Sequence, residues 1–455
     1  MDWIDMADLN QTLLNSRNNV LMCISRKVQS IDIRRYNSSQ LKQIVIYETI
    51  IATDAELLWR LLPFFLDERH VPRAILLDFD CRSVQNALSG YYGSLFKPDN
   101  VVCGKAGTDN NWAKGHYSEG ADVLDQTLDI VRTEVEACDS VQGIQIVHAL
   151  SGGTGSGFGS LFARYLREEY SNRILKSYSL IPSSHDSIVI QAYNAVLTIP
   201  YLIDYIHEVF CMNNEAVSRI CSDKLKIRPN FYQMNYLISL CMSGITASLR
   251  FPGQLNTGLR KLLVNMVPFP RLHFFVPGYV PLVSEYTAPY VKHTVRSLIQ
   301  DMFQSESMFI TCDPRKGRFL TAAAIFRGRI SPKDVDENMY HLQNLYSSHY
   351  VEWIPHNIKT AICDIATCNT TISATSLSNT TAIQDAFTKL LYEFQKMFKS
   401  KAYLQWYITE GMEESDFLEA QNSLLSLISE YQQYQNAVAK TDFVEESIPY
   451  VEESA

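Results

Sequence analysis

The sequence lacks any apolar run long enough to cross a bilayer, which takes ~18–20 residues. The longest apolar stretch, Leu57–Leu66, is short and is interrupted by Arg60 and Pro63. The first ten residues carry three aspartates and lack the basic-then-apolar order of a secretory signal. We therefore expect a cytoplasmic protein that does not act in a membrane.

An excess of basic residues is missing as well. The chain has 40 lysines and arginines against 49 aspartates and glutamates, a formal net charge of −9, whereas general nucleic-acid binders are usually basic. The ten cysteines form no CxxC pair, and no histidine cluster stands at zinc-ligand spacing. These absences argue against nucleic-acid binding and against a zinc site, and they predict reduced, mostly buried thiols.

What the sequence has is enough apolar chain for two or three domains, with 455 residues of which 46% are hydrophobic and 20% charged. From Val71 onward, candidate strands alternate with candidate helices. Ala74–Leu77 and Ile144–Leu150 are continuous apolar runs typical of buried strands, and Ala121–Cys138 repeats its apolar residues at helical spacing. This alternation predicts a parallel sheet with helices on both faces.

The two ends of the chain follow other patterns. Before Val71 the candidate strands are short, at Val20–Ile24 and Gln43–Tyr47. Beyond about residue 256 the pattern predicts a second α/β domain. The helical spacing of Ala382–Phe398 and Asp416–Gln435 then predicts two long helices.

A glycine-rich turn, Ser151–Gly157, joins a candidate strand to a candidate helix. Such a turn presents backbone N–H groups at the positive end of a helix dipole, where phosphate oxygens bind, and Thr154 and Ser156 add hydroxyl donors. A tight turn whose small residues serve only packing is the alternative interpretation. The turn is not a P-loop, because no Gly-Lys-Ser/Thr closes it. The next strand is not followed by the acidic residue of a dinucleotide-binding fold.

Several further segments resemble β-tubulin. They occur in the family's order, and the resemblance runs almost without gaps from Val71 to Gln435. Together with the glycine-rich turn, the segments are Asn110–Tyr117, Ser248–Asn256, Val267–Phe275, Phe326–Arg329, Val351–Pro355 and Glu430–Gln435. The β class is favoured over the α class because Thr367–Asn379 lacks the extra residues of α-tubulin, and because Lys261 stands where α-tubulin has its catalytic glutamate.

The resemblance implies a tubulin-like α/β fold. Its parts are an N-terminal Rossmann-like GTPase domain with a parallel sheet, an α/β intermediate domain and a C-terminal helical hairpin. The implied boundaries are 1–70 for a divergent N-terminal segment of the nucleotide-binding domain, 71–255 for the GTP-binding domain, 256–381 for the intermediate domain, 382–435 for the C-terminal helices and 436–455 for an acidic, disordered tail.

The resemblance also implies a site for GTP and magnesium. The phosphates would be bound by Asn110, Gly153, Thr154, Gly155 and Ser156, of which Asn110 would reach the terminal phosphate. Asp80 stands where the family has a glutamate that helps to hold magnesium through water. For the guanine base, the family's residues match Asn214 and Asn235, with Phe231 in place of a stacking tyrosine. Asn256 and Lys261 would lie at the subunit contact near the GTP of the α-subunit.

The chain also departs from the family at this site. Ser151 replaces the first glycine of the phosphate loop, which costs about 1–2 kcal/mol if that position needs a positive φ. Ala149 replaces a serine that touches the nucleotide, and Gln191 replaces a glutamate near the ribose. The Gly-Gln-Cys-Gly-Asn-Gln loop that follows the family's opening strand is not recognisable; its nearest counterpart follows Val20–Ile24 and reads Ser-Arg-Lys.

Two functions are compatible with these residues. The first is a GTP-binding structural subunit that pairs with α-tubulin and adds head to tail to microtubules, with hydrolysis completed by the next α-subunit, so that no catalytic residue lies in this chain. The acidic tail would then contact motors and microtubule-associated proteins. The second is a nucleotide-deficient regulator that caps or sequesters α-tubulin.

Overall fold

The computed structural model describes residues 43–48, 72–90, 93–138, 140–183, 188–251, 259–284, 287, 290–345, 347–354, 357–367 and 370–437. Within these residues ten strands form one sheet, in the order β3-β2-β1-β4-β5-β6-β7-β10-β8-β9. The strands are β1 (Gln43–Glu48), β2 (Ala74–Asp78), β3 (Val101–Cys103), β4 (Gly143–Ala149), β5 (Ile174–Leu180), β6 (Glu208–Met212), β7 (Phe274–Val280), β8 (Phe319–Gly328), β9 (Ile358–Cys363) and β10 (Ile372–Thr380).

The part of this sheet from β3 to β7 is parallel throughout. β10 then pairs antiparallel with β7 and β8, and β8 pairs parallel with β9. The direction of strand addition reverses between β1 and β4, since β2 and β3 lie on one side and β5 to β7 on the other. Ligands of such sheets bind at the carboxyl ends of the strands beside this reversal. The predicted α/β fold with a parallel sheet is confirmed.

The strand beside this reversal comes from the early part of the chain. β1 pairs with β2 through Val45–Ala74 and with β4 through Gln43–Gly143. The strand predicted at Gln43–Tyr47 is therefore confirmed. It takes the place that the sequence interpretation assigns to Val20–Ile24, a segment that lies outside the described residues.

The three helices predicted from periodicity are confirmed, with ends displaced by one or two residues. The described part of the chain contains further helices as well. In chain order its α-helices are α1 (Cys81–Ser89), α2 (Glu119–Glu136), α3 (Gly159–Glu169), α4 (Gln191–Tyr205), α5 (Asn214–Arg219), α6 (Phe231–Ile245), α7 (Ala247–Arg250), α8 (Leu259–Met266), α9 (Val295–Met302), α10 (Pro332–Leu345), α11 (Gln384–Lys399), α12 (Leu404–Ile408) and α13 (Glu414–Asn436). Short π-helical turns precede α2 and α3, at Lys114–Ser118 and Thr154–Phe158.

An aromatic cluster packs the C-terminal helices against α4. Tyr193 of α4 is fully buried, and its ring lies edge-on to Phe394 of α11 at 5.4 Å, Tyr407 of α12 at 5.7 Å and Phe417 of α13 at 5.4 Å. Edge-to-face pairs at these distances are favourable beyond their buried area. Because α4 begins beside the carboxyl ends of the parallel strands, the cluster brings the C-terminal helices close to that edge.

The interior of the sheet contains one ion pair. Lys176 of β5 and Glu208 of β6 are direct partners in the parallel register, and their side chains are 2% and 0% exposed. Burial raises the pKa of the Glu208 carboxyl, and the Lys176 ammonium opposes that shift. Removing one partner would leave a buried charge without its counter-ion, which is strongly unfavourable.

The sequence predicts no membrane-spanning segment and predicts reduced, mostly buried thiols. None of the helices that the structure describes is both long and apolar enough to span a membrane. The eight cysteines in the described ranges are free thiols, and five of them are buried: Cys211, Cys221, Cys241, Cys312 and Cys363.

Candidate functional site

The chemistry-bearing loops lie along one edge of the sheet. Because β2 to β6 are parallel, their carboxyl ends meet at this edge, and each continues into one of the segments singled out from the sequence. Asp78 ends β2, Gly104 follows β3, Ser151 comes two residues after β4, and Asn214 comes two residues after β6. The topology therefore brings the predicted phosphate and metal residues, and Asn214, to the same edge of the sheet.

Close approach of neighbouring backbone explains two glycines of the turn after β4. A Cβ at Gly153 would lie 2.6 Å from the Asn111 carbonyl oxygen, and one at Gly157 would lie 2.2 Å from the Trp112 carbonyl oxygen. No residue of this turn has a positive φ, since the described non-glycine residues that do are Asp109, Asn110, Lys226, Lys401 and Tyr403, and the glycines are Gly328 and Gly411. The condition under which Ser151 would be strained, a positive φ, is therefore not met.

The two hydroxyl groups of the turn have different surroundings. Thr154 Oγ1 donates to Asp78 Oδ1 at 3.2 Å and lies 3.5 Å from Thr108 Oγ1, so it links the turn to the ends of two other strands. Ser156 is fully buried, and its hydroxyl donates to the Gly152 carbonyl. No side chain caps the first helical turn at Thr154, which leaves backbone N–H groups there for an anionic ligand.

Two buried histidines hold carbonyls of this turn. His148 Nδ1 lies 2.6 Å from the Gly155 carbonyl oxygen, and its Nε2 lies 2.8 Å from Ser179 Oγ. His116 Nδ1 lies 3.2 Å from the Gly157 carbonyl oxygen. Burial lowers the pKa of each histidine to about 4. Both imidazoles are therefore neutral at pH 7, and each donates Nδ1–H to its carbonyl.

The segment after β3 brings Asn110 to the turn. Asp109 and Asn110 have φ values of 50° and 58°, which asparagine and aspartate tolerate better than other residues. The Asn110 side-chain oxygen lies on the open side of Gly152, at 3.7 Å from where a Cβ of residue 152 would be. The amide expected to reach a terminal phosphate therefore faces the phosphate loop.

A residue that the sequence interpretation missed holds these two loops together. The Asn194 amide donates to the Asn110 carbonyl oxygen at 2.6 Å and to the Ser151 carbonyl oxygen at 2.7 Å. Asn194 stands in the first turn of α4, 43 residues from Ser151 and 84 from Asn110 along the chain. Nothing in its local sequence signals this contact.

The end of β2 presents two carboxylates. Asp78 Oδ1 accepts from Thr154 Oγ1 and, at 3.2 Å, from the Asp80 amide. Asp80 caps α1 by accepting from the Arg82 amide at 3.1 Å, and its side chain is 59% exposed. Magnesium keeps several waters and uses one or two carboxylates beside substrate phosphates. The pair fits that chemistry, although the described residues hold no cluster of three or more histidine, cysteine or acidic ligands.

The predicted base residues lie on two neighbouring helices, α5 and α6. Asn214 is the half-buried first residue of α5, next to Asn213, which caps that helix by accepting from the Ala216 amide at 2.8 Å. Phe231 begins α6 and is 72% exposed, whereas Asn235 is 6% exposed. Residues four apart share a helix face, so α6 presents an aromatic ring above a recessed amide.

Three further positions singled out from the sequence remain. Gln191 Nε2 donates to the Ser183 carbonyl at 2.8 Å, while its buried Oε1 has no hydrogen-bond partner in the described part of the chain. A ligand hydroxyl would satisfy that acceptor. Lys261 is an exposed residue of α8, and Asn256 lies outside the described residues.

Two family matches cover these elements. Residues 38–222 match the Tubulin/FtsZ family, GTPase domain, and residues 270–392 match the Tubulin C-terminal domain. Together the matches span about two thirds of the chain, and the first includes β1 and every phosphate-end residue named above. The chain belongs to the tubulin/FtsZ family, with a GTPase domain followed by a tubulin C-terminal domain. That GTPase domain implies GTP binding.

Proposed function

We propose that this chain is a β-tubulin-like subunit that binds GTP with magnesium, pairs with α-tubulin and adds head to tail to microtubules in the cytoplasm. The observation that carries the proposal is the convergence of Asn110, the glycine-rich turn and the carboxylates of β2 at one sheet edge, next to the helices that carry the base residues. When subunits contact each other through two different faces, head to tail, and the contacts do not form a closed ring, they generate a filament.

Each end of the site would hold one part of the nucleotide. Asn110 and the backbone of Gly153, Thr154 and Gly155 would bind the phosphates, and magnesium would neutralise part of their charge. Ser156 would act through its backbone, because its hydroxyl is already donated to Gly152. Phe231 would stack on the guanine, whose edge Asn214 and Asn235 would read with amide donors and acceptors.

The β assignment rests mainly on Lys261. This lysine is exposed on α8, and an ammonium group cannot act as a general base at neutral pH. In the proposed dimer Lys261, together with Asn256, would face the GTP of the α-subunit without hydrolysing it. Hydrolysis of this chain's own GTP would require the glutamate of the next α-subunit.

The test is the nucleotide content of the purified heterodimer. We expect the chain, co-expressed with α-tubulin, to retain guanine nucleotide that exchanges with added labelled GTP, measured by chromatography after denaturation. Since the α-subunit carries nucleotide too, the stoichiometry decides: two nucleotides per dimer, one of them exchangeable, support the proposal. One nucleotide per dimer, not exchangeable, would contradict it.

A second candidate function is a regulator that binds α-tubulin and holds nucleotide weakly. It is favoured by the residues after β1, where the family has its glycine-containing phosphate loop. That strand ends at Glu48, and the sequence continues Thr-Ile-Ile-Ala-Thr-Asp without a glycine.

Co-pelleting with microtubules separates the two functions. A structural subunit enters the polymer along its length, and labelled chain pellets in proportion to polymer mass. A regulator instead lowers the polymer mass as its dose rises, by capping or by sequestering α-tubulin. The acidic tail, proposed to contact motors and associated proteins, lies outside the described residues and is tested by its deletion in the same assay.

A further inference from the structure

The side chain of Asn194 is fully buried and makes four hydrogen bonds. Its Nδ2 donates to the carbonyl oxygens of Asn110 and Ser151 at 2.6 and 2.7 Å. Its Oδ1 accepts from the Trp112 amide at 3.1 Å and from the Tyr407 hydroxyl at 2.7 Å. An asparagine amide has two donors and accepts two bonds, so every bonding position is filled.

These four bonds join three separate parts of the chain. Asn110 and Trp112 belong to the segment after β3, and Ser151 belongs to the phosphate loop after β4. Tyr407 belongs to α12, one of the C-terminal helices. Its ring is fully buried against Tyr193 and Phe417. One side chain of α4 therefore connects both phosphate-binding segments to α12.

A second contact runs between the same two regions. Asn111 Nδ2 donates to the Trp406 carbonyl at 3.0 Å. Asn111 lies between Asn110 and Trp112, and Trp406 directly precedes Tyr407, so these residues adjoin the ones that Asn194 joins. On the other side, Asn111 Oδ1 accepts from the Ala113 amide at 2.9 Å. The segment that presents Asn110 is thus held to α12 directly as well as through Asn194.

We propose that Asn194 is a positioning residue of the nucleotide site, and that through Tyr407 it couples the geometry of the phosphate end to the seating of α12. The inference rests on the proposed GTP binding. The physical reason is that Asn194 has no spare bonding position. If Tyr407 shifts, the side-chain amide of Asn194 must rotate or move with it. The same amide group bonds to the Asn110 and Ser151 carbonyls and orients them. Coupling of this kind is reciprocal, so bound nucleotide would also hold α12 in place.

The chain offers a matched pair of variants. Tyr407→Phe removes the hydroxyl that reaches Asn194 and keeps the ring in the aromatic cluster. Tyr193→Phe, in the adjacent residue of α4, removes a hydroxyl that donates to the Ala402 carbonyl at 3.0 Å. Both variants lose one hydrogen bond between α4 and the C-terminal region, but only the first touches Asn194.

The first measurement is the affinity of the full-length chain, purified with co-expressed α-tubulin, for GTP and GDP. We expect Tyr407→Phe to weaken GTP binding about fivefold to tenfold, which corresponds to one lost hydrogen bond. GDP binding should weaken less, because Asn110 is expected to reach the terminal phosphate. Tyr193→Phe should stay within about twofold of the unmodified chain. Equal changes in both variants would overturn the proposal.

The second measurement needs no nucleotide. Backbone hydrogen exchange of residues 104–115 and 150–158 should accelerate in Tyr407→Phe and in Asn194→Leu, and should not change in Tyr193→Phe. If the unmodified chain binds no guanine nucleotide, the proposed function fails, while the exchange rates still decide whether Asn194 positions the two loops. Unchanged exchange in both segments would refute that role.

Discussion

The phosphate end and the base end of the candidate site are built in different ways. At the phosphate end, Asn194 and Thr154 tie the loops after β2, β3 and β4 to one another through hydrogen bonds, and His148 holds the loop after β4 to its own strand. At the base end, Phe231 stands 72% exposed at the start of α6. The phosphate end is therefore held by the chain's own contacts, whereas the base end offers an exposed stacking surface.

This difference has a consequence for the two candidate functions. Loops that are already held in place lose little conformational entropy when a ligand binds. The proposed weakening, from the glycine-free sequence after β1, would act on this same phosphate end. A structural subunit and a weakly binding regulator therefore differ in the strength of the phosphate end, and variants there are the most informative.

Gly157 and Gly152 give the largest expected contrast within the phosphate loop. In Gly157→Ala the new Cβ would lie 2.2 Å from the Trp112 carbonyl oxygen and 3.1 Å from the Gly115 carbonyl carbon, whereas in Gly152→Ala its nearest neighbour is Asn110 Oδ1 at 3.7 Å. We expect Gly157→Ala to lower the free energy of unfolding by about 3 kcal/mol or more, because backbone must move. Gly152→Ala should cost less than about 1 kcal/mol.

Urea unfolding measures that contrast, and nucleotide affinity sharpens it. The Gly152→Ala methyl group would stand on the open side of the loop, facing the Asn110 amide, so nucleotide binding should fall although the fold is retained. Equal destabilisation by the two substitutions would show that close packing does not dictate the glycines of the loop.

Acid should destabilise the phosphate end through its buried histidines. Burial lowers the pKa of His116, His148 and His207 to about 4, against about 6.5 in the unfolded chain. Above pH 6.5 all three are neutral in both states, and their contribution is fully present. As the pH falls towards 4 the unfolded state binds protons that the folded state does not, so stability is lost. Between pH 6.5 and 5.5 His116 and His148 should each cost about 1 kcal/mol, and His207, which is less deeply buried, should cost less.

Two variants show which histidine causes this loss of stability at low pH. His148→Gln and His207→Gln should each reduce the pH dependence of urea unfolding, since each removes one titrating group whose pKa is lowered in the folded state. Of these two histidines, His148 contacts the phosphate loop, through the Gly155 carbonyl, and His207 does not. Hydrogen exchange of residues 151–157 should therefore change in His148→Gln and stay unchanged in His207→Gln. The same exchange response in both variants would mean that His148 serves stability alone.

Much of the fold and of the phosphate loop could be predicted from the sequence, because these features depend on residues that are close together along the chain. The alternation of strands and helices predicts the parallel sheet, and the glycine-rich turn after a buried strand marks the phosphate loop without any long-range information. Asn194 and His148 were missed because their partners become neighbours only when the strands assemble. The packing role of Gly153 and Gly157 was missed for the same reason, since the backbone they meet belongs to the segment after β3.

The smallest expected effect tests the base end. Phe231→Ala removes an exposed ring, so the free energy of unfolding should change by no more than about 0.5 kcal/mol. Tyr232→Ala is the matched control, because this neighbouring ring is 52% exposed and is not one of the proposed base residues. If Phe231 stacks on guanine, its loss should weaken the binding of GTP and of GDP equally, by about fivefold or about 1 kcal/mol, while Tyr232→Ala leaves both affinities unchanged.

The equal effect on both nucleotides separates the base end from the phosphate end, where GTP binding should weaken more than GDP binding. A preferential loss of GTP binding in Phe231→Ala would show that the two ends do not act independently, and unchanged affinities would remove Phe231 from the site.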